Sequence, residues 1–118
     1  KIEVKGNLNR YRDFIFIDDV IEAWYRSATY ESAKNQIINL GTGYKTTISK
    51  LLETICNYTD GSKFFVQGYT PGDQNGIYAD NRKLNNILDI NKFTQLNEGI
   101  LIFKDWANNF LDNYKKIK

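Results

Sequence analysis

The chain has 118 residues, enough for one domain with a modest core, and it contains no histidine and a single cysteine. Hydrophobic residues make up 42% and aromatics 14%, which excludes a disordered chain. The net charge of +2 is too small to make nucleic acid or a membrane surface the main partner, and no apolar run approaches the roughly 20 residues of a spanning helix.

The missing histidine removes Ser–His and Cys–His nucleophile pairs, histidine general bases and the commonest zinc ligands. Cys56 alone forms neither an internal disulfide nor a cysteine metal cluster. A reducing compartment suits that usage, and a cytoplasmic location is expected. The start, Lys1-Ile-Glu-Val-Lys-Gly6, is neither a signal peptide nor an initiator methionine. A chain that opens in mid-strand is expected to be a fragment.

Ile2 and Val4 alternate with Glu3 and Lys5 and predict a short edge strand. Gly6-Asn-Leu-Asn9 is a turn. Phe14-Ile-Phe-Ile17 predicts a second strand, opened by Arg12 and Asp13 and stopped by Asp18 and Asp19. Asp19 is expected to cap the next helix, with Glu22 at capping-box spacing. That helix, from about Val20 to Tyr30, puts Val20, Ala23, Trp24 and Ala28 on one face, with Trp24 as a core anchor. Arg12 stands beside this strand–helix junction, where a guanidinium can grip an anion with two hydrogen bonds.

Ser32 to Asn35 is a loop, and Gln36-Ile-Ile-Asn-Leu40 predicts another short strand. Gly41-Thr-Gly-Tyr-Lys-Thr-Thr-Ile48 follows, in the setting of a phosphate-cradling loop. Thr46 stands where a dinucleotide fingerprint wants its third glycine, and a Walker ending is absent. A tight turn capped by Thr46 or Thr47 is the expectation. The helix from about Ile48 to Tyr58 buries Ile48, Leu51, Leu52 and Ile55, with Cys56 beside that stripe as a core residue. Asp60-Gly61 ends it, and Lys63-Phe-Phe-Val-Gln67 predicts a strand. The loop from Gly68 to Asp80 holds the chain's only proline and three glycines, a composition that often shapes a functional surface. Asp80 caps a helix from about Arg82 to Leu88, with Leu84, Ile87 and Leu88 apolar. The last helix runs from about Asn97 towards Tyr114, with Ile100, Phe103, Ala107, Phe110 and Tyr114 on one face. Its basic end, Lys115-Lys-Ile-Lys118, suits the helix dipole and solvent.

Four motifs carry a resemblance. Arg12-Asp-Phe-Ile-Phe-Ile-Asp-Asp-Val20 resembles the Arg-Asp-Phe-aliphatic-aromatic-Val-Asp-Asp-Val segment of extended short-chain dehydrogenases/reductases, the NAD-dependent nucleotide-sugar epimerases and dehydratases. Asn39-Leu-Gly-Thr-Gly43, Pro71-Gly-Asp73 with Ala79-Asp80, and Leu96-Asn-Glu-Gly99 match further segments of that family in the same order. Leu88-Asp-Ile-Asn-Lys-Phe93 matches the family's Leu-Gly-Trp turn only loosely. Thr70 stands where many members carry an arginine that binds the substrate's diphosphate; it donates one hydrogen bond and no charge.

The resemblance implies an α/β fold with short strands and about four helices. It makes residues 1–118 the C-terminal substrate-binding part of such an enzyme, most like a UDP-glucose 4-epimerase. It implies a nucleotide-sugar substrate, with Arg12 on the diphosphate, Asp73 near the nucleotide and Thr70 as a weaker third contact. NAD and the catalytic Tyr-x-x-x-Lys pair belong to the N-terminal dinucleotide-binding half, and the full-length form has room to be a homodimer. Tyr30 with Lys34 and Tyr114 with Lys118 have the pair's spacing but not its place in the family order, so this chain is expected to hold no catalytic residue and to be inactive alone. A 4,6-dehydratase or 4-reductase of the same family is the second enzyme reading. A free-standing binding or interaction module is the third. A half-enzyme should expose an apolar patch where its dinucleotide domain would sit, and a module should not.

Overall fold

Helices dominate, and the strands are very short. A computed structural model describes residues 1–68, 71–72 and 74–117. In chain order the elements are β1 (Ile2–Val4), β2 (Tyr11–Arg12), α1 (Ile17–Thr29), a 3-10 turn (Glu31–Ala33), β3 (Thr46–Thr47), α2 (Ile48–Asn57), β4 (Phe64–Val66), α3 (Arg82–Leu88) and α4 (Leu96–Ile117). This is the mixed α/β architecture with four helices that the sequence predicts.

Two small ladders organise it. β1 pairs in parallel with β4, Ile2 opposite Phe64 and Val4 opposite Val66. β2 pairs antiparallel with β3, Tyr11 opposite Thr47 and Arg12 opposite Thr46. The second ladder continues past Tyr11 into the start of α2. Ile48 N donates to the Arg10 carbonyl at 2.8 Å, and Ser49 N donates to the Leu8 carbonyl at 3.1 Å. The start of α2 is thereby fixed to the chain before Arg12. Thr47 caps α2 as expected, its hydroxyl accepting from Lys50 N at 3.1 Å.

The core is built by the predicted stripe of α3. Leu84 and Leu88 are fully buried. With Ala23, Ala33 and Ile90 they form one cluster, flanked by Ile38, Leu40, Ile87 and Phe93. Arg26 of α1 ties down the end of α3, donating from Nη1 to the carbonyls of Leu88 and Asp89 at 2.9 Å each. Those carbonyls have no partner inside their own helix, and a guanidinium at a helix C-terminus also suits its dipole.

Several expectations fail, each for a physical reason. Phe14–Ile17 is not a strand: residues 13–16 are coil, with Phe16 extended, and α1 begins at Ile17. The capping position of α1 is Phe16, with no side-chain cap, and Asp18 and Asp19 lie inside the first turn. Asp19 reaches across instead, accepting from Thr94 N at 2.9 Å and from the Thr94 hydroxyl at 3.2 Å. Glu22 does not close a capping box; it pairs with Arg26 one turn on, at 2.6 Å. Gln36–Leu40 is also coil, with Ile37 on the surface and Ile38 and Leu40 packed on the core. Asp80 is not the residue next to α3, but its carboxylate accepts from Arg82 N, the first helical residue, at 3.2 Å. Trp24 is no core anchor, since 67% of it is exposed and only Ala23 on that helix is buried.

The predicted face of α4 is likewise open over its outer half. Phe103, Trp106 and Phe110 are each more than half exposed and stack along the helix with centroids 5.6 Å apart, and Phe110 continues to Tyr114 at 6.3 Å. The radius of gyration is 17.4 Å. A compact chain of this length has one of about 13–14 Å. The excess is consistent with an α4 face that finds no cover.

Candidate functional site

The site grows from one carboxylate. Asp13 follows β2 directly and turns its side chain towards the Gly41-Thr-Gly43 turn. Its Oδ1 accepts from Thr42 N at 3.0 Å and from the Thr42 hydroxyl, while its Oδ2 accepts from Gly43 N at 2.9 Å and from Ala79 N at 3.1 Å. Three segments distant in sequence meet on this one group. Asn81 closes the arrangement, its amide donating to the Thr42 carbonyl at 2.8 Å.

Burial acts to raise the Asp13 pKa. The Thr42 hydroxyl and the amides of Ala79, Gly43 and Thr42 outweigh it, so the carboxyl sits below its ordinary value and is ionised at neutral pH. The close packing explains Gly41. A Cβ there would lie 2.5 Å from the Ala79 Cβ and 2.7 Å from the Asp13 Oδ2. The Gly-Thr-Gly turn thus lays its amides on a protein carboxylate, in keeping with a tight structural turn rather than a phosphate cradle.

The segment 74–76 lies along β2: Tyr11 N donates to the Asn75 carbonyl at 3.0 Å, and Tyr11 bridges to Gly76. A Cβ on Gly76 would overlap the Tyr11 ring. Arg12 then donates from Nη1 to its neighbour's carbonyl on Tyr11 at 2.8 Å and to the Gln74 carbonyl at 3.3 Å. The sequence candidate Arg12 is therefore tied to the residue immediately after Asp73. Asp73 and Thr70 themselves lie outside the described residues.

Arg12 lines a cavity of about 410 Å³ together with Asp13, Asn39, Leu40, Ile77, Tyr78, Ala79 and Asp80. Asp80 pairs with Arg82, at 2.9 and 3.1 Å from Nε, and that guanidinium holds the carboxyl at about 2. A separate apolar cleft of about 350 Å³ lies between the 14–17 segment and the start of α4, lined by Phe14, Phe16, Leu51, Gly99, Ile100 and Phe103. Among the described residues no cluster of three histidines, cysteines or carboxylates could hold a metal ion. No helix there is long and apolar enough to cross a membrane.

The two Tyr-x-x-x-Lys spacings are placed as follows. Tyr30 is the C-terminal cap of α1, under the Arg26 guanidinium at 5.9 Å, and Lys34 pairs with Glu31 at 3.2 Å. Tyr114 is near the end of α4, and Lys118 lies outside the described residues. The sequence reading missed the part played by Asp13. The available signal was the Gly-Thr-Gly turn, whose amides need an acceptor, and an acid at the head of an apolar run.

No family model matches the sequence. Among curated proteins, the dTDP-4-dehydro-6-deoxyglucose reductase of Escherichia coli is 39% identical over 54 residues, which is 46% of this chain and 17% of that protein. Among solved structures, the UDP-glucose 4-epimerase of Thermotoga maritima, with UDP-glucose, superposes with a TM-score of 0.79 at 24% identity, over 94% of this chain and 36% of the epimerase. An NAD-dependent NDP-hexosamine 5,6-dehydratase of tunicamycin biosynthesis gives 0.80 at 18% identity, over 91% of this chain and 35% of the dehydratase. The chain spans about a third of these solved enzymes and a smaller share of the reductase. In fold and in sequence the chain resembles one portion of the extended short-chain dehydrogenases/reductases that act as NAD-dependent nucleotide-sugar epimerases, dehydratases and reductases.

Proposed function

We propose that the chain is the C-terminal, substrate-binding part of an NAD-dependent nucleotide-sugar 4-epimerase. The observation that carries this reading is the meeting of Arg12 with the 74–76 segment at the wall of one cavity. A guanidinium there is suited to a diphosphate, because its planar fork matches phosphate oxygens two at a time. Asp73 and Thr70 are the further contacts, towards the nucleotide and by one hydroxyl hydrogen bond. The carboxylates nearby do not repel an anion strongly. Asp13 is surrounded by donors, and Asp80 is paired with Arg82.

NAD is held by the dinucleotide-binding part of the whole enzyme, where it supplies hydride transfer at C4 of the sugar. This chain's task is to bind and orient the nucleotide-sugar. No residue of it is assigned to catalysis, and alone it is inactive. The remainder of the enzyme is also its partner in packing. The open faces of α1 and α4 are what such a partner would cover, and they weigh against a free-standing module.

The test is to sequence the coding DNA upstream of Lys1. A strand, a Gly-x-x-Gly-x-x-Gly loop and a helix bearing Tyr-x-x-x-Lys support the reading; a start codon or an unrelated domain overturns it. Expressed together, the two parts should interconvert UDP-glucose and UDP-galactose. A dehydratase or reductase of the same family is the second reading, favoured by the kinds of relatives found. Formation of a 4-keto-6-deoxy product would select the dehydratase.

A further inference from the structure

Lys45 stands next to Thr46, the residue that pairs with Arg12 across the β2–β3 ladder. Its ammonium lies 4.5 Å from the centre of the Tyr78 ring and 5.3 Å from that of Tyr11. The two rings meet edge to face, 6.3 Å apart and inclined at 62°. Tyr78 also lines the Arg12 cavity. One ring therefore serves both as a wall of the cavity and as a seat for a cation. Among the described residues, the Lys45 ammonium meets no carboxylate.

We propose that Lys45 is a second cationic contact of this site and donates to a phosphate oxygen of a nucleoside diphosphate, with Tyr11 and Tyr78 as its positioning residues. The proposal rests on the diphosphate reading of the Arg12 cavity. Ring faces attract an ammonium but occupy none of its N–H groups with a charged acceptor. A phosphate oxygen is a stronger acceptor, and a lysine stem is long and flexible enough to tilt towards one. The clasp already holds the ammonium against Tyr78, so less side-chain freedom is lost on binding. It also places a lysine's charge close to the loop in which Thr70 offers none.

The experiment measures UDP and uridine binding to the chain by titration calorimetry, for wild type, Lys45→Gln, Lys45→Arg and Tyr78→Leu. Loss of one charge-assisted contact should weaken UDP about tenfold in Lys45→Gln and leave uridine unchanged. Lys45→Arg, which keeps charge and ring contact, should stay within about threefold of wild type. Tyr78→Leu should fall between them. If wild type prefers UDP over uridine and Lys45→Gln does not alter that preference, this inference fails alone. An equal loss for UDP and uridine in Lys45→Gln would also overturn it, as a general disturbance of the fold. If wild type binds UDP no better than uridine, the diphosphate reading fails and takes this inference with it.

Discussion

At Asp13 a single carboxylate gathers four donors from two other segments, and the polar groups around it are satisfied. Ile17, four residues later, begins a helix whose apolar side chains Ile17, Ile21, Trp24 and Tyr25 are all more than half exposed. The aromatic ladder of α4 repeats the second condition. The first region has its polar groups satisfied, and the second leaves its apolar side chains open to solvent. The difference shows where each obtains its stability. Hydrogen bonds at Asp13 join segments distant in sequence, so removing them should disturb this chain directly. The aromatic faces make few internal contacts, so trimming them should change association and leave folding nearly intact.

Asp13→Ala should be the most damaging change. It strands the amides of Thr42, Gly43 and Ala79 in a half-buried place, at a cost of about 3 kcal/mol by urea unfolding. A loss under about 1 kcal/mol would show that the junction is not the organising point. The same carboxylate has a pH signature. Its folded pKa is depressed from 3.8, so its contribution is fully present above about 4 and is lost as pH falls through the lowered native value. Asp13→Asn should remove that acid-dependent component, measured as the difference between the two unfolding curves from pH 6 down to pH 2.

Gly41→Ala is next. The added methyl meets Ala79 and Asp13, and overpacking of this kind costs about 2 kcal/mol. A neutral result would mean that the turn yields easily. At the other end of the scale, Trp106→Ser should alter unfolding by no more than about 0.5 kcal/mol, because the ring is 58% exposed. It should nevertheless lower self-association of the isolated chain, read by light scattering. A strongly destabilised Trp106→Ser chain would erase the contrast between the two regions.

The helices were legible in the sequence, because three- and four-residue apolar spacing is a local property. Leu84, Ile87 and Leu88 on α3 lie on the core as that spacing requires, and the Thr47 cap is a local hydrogen bond. The strands were less legible. Phe14–Ile17 and Gln36–Leu40 have β-prone composition, but a strand needs a partner at the right distance, and composition carries no partner. The face of a helix was legible, but not what covers it. Trp24 and Phe103 have the pattern of buried residues and stand exposed. At the site, Arg12 was reachable through a motif. Asp13 was not singled out, because its donors come from residues 29 to 66 positions away.

Under the proposed function, this chain recognises the diphosphate of a nucleotide-sugar through Arg12. The direct measurement is the affinity of the chain for UDP-glucose with Arg12 present and with Arg12→Ala, at low and at high salt. A bidentate contact to phosphate predicts a loss of at least about tenfold, with a weaker salt dependence in the variant. Equal affinity and equal salt dependence in the two proteins would contradict the assignment.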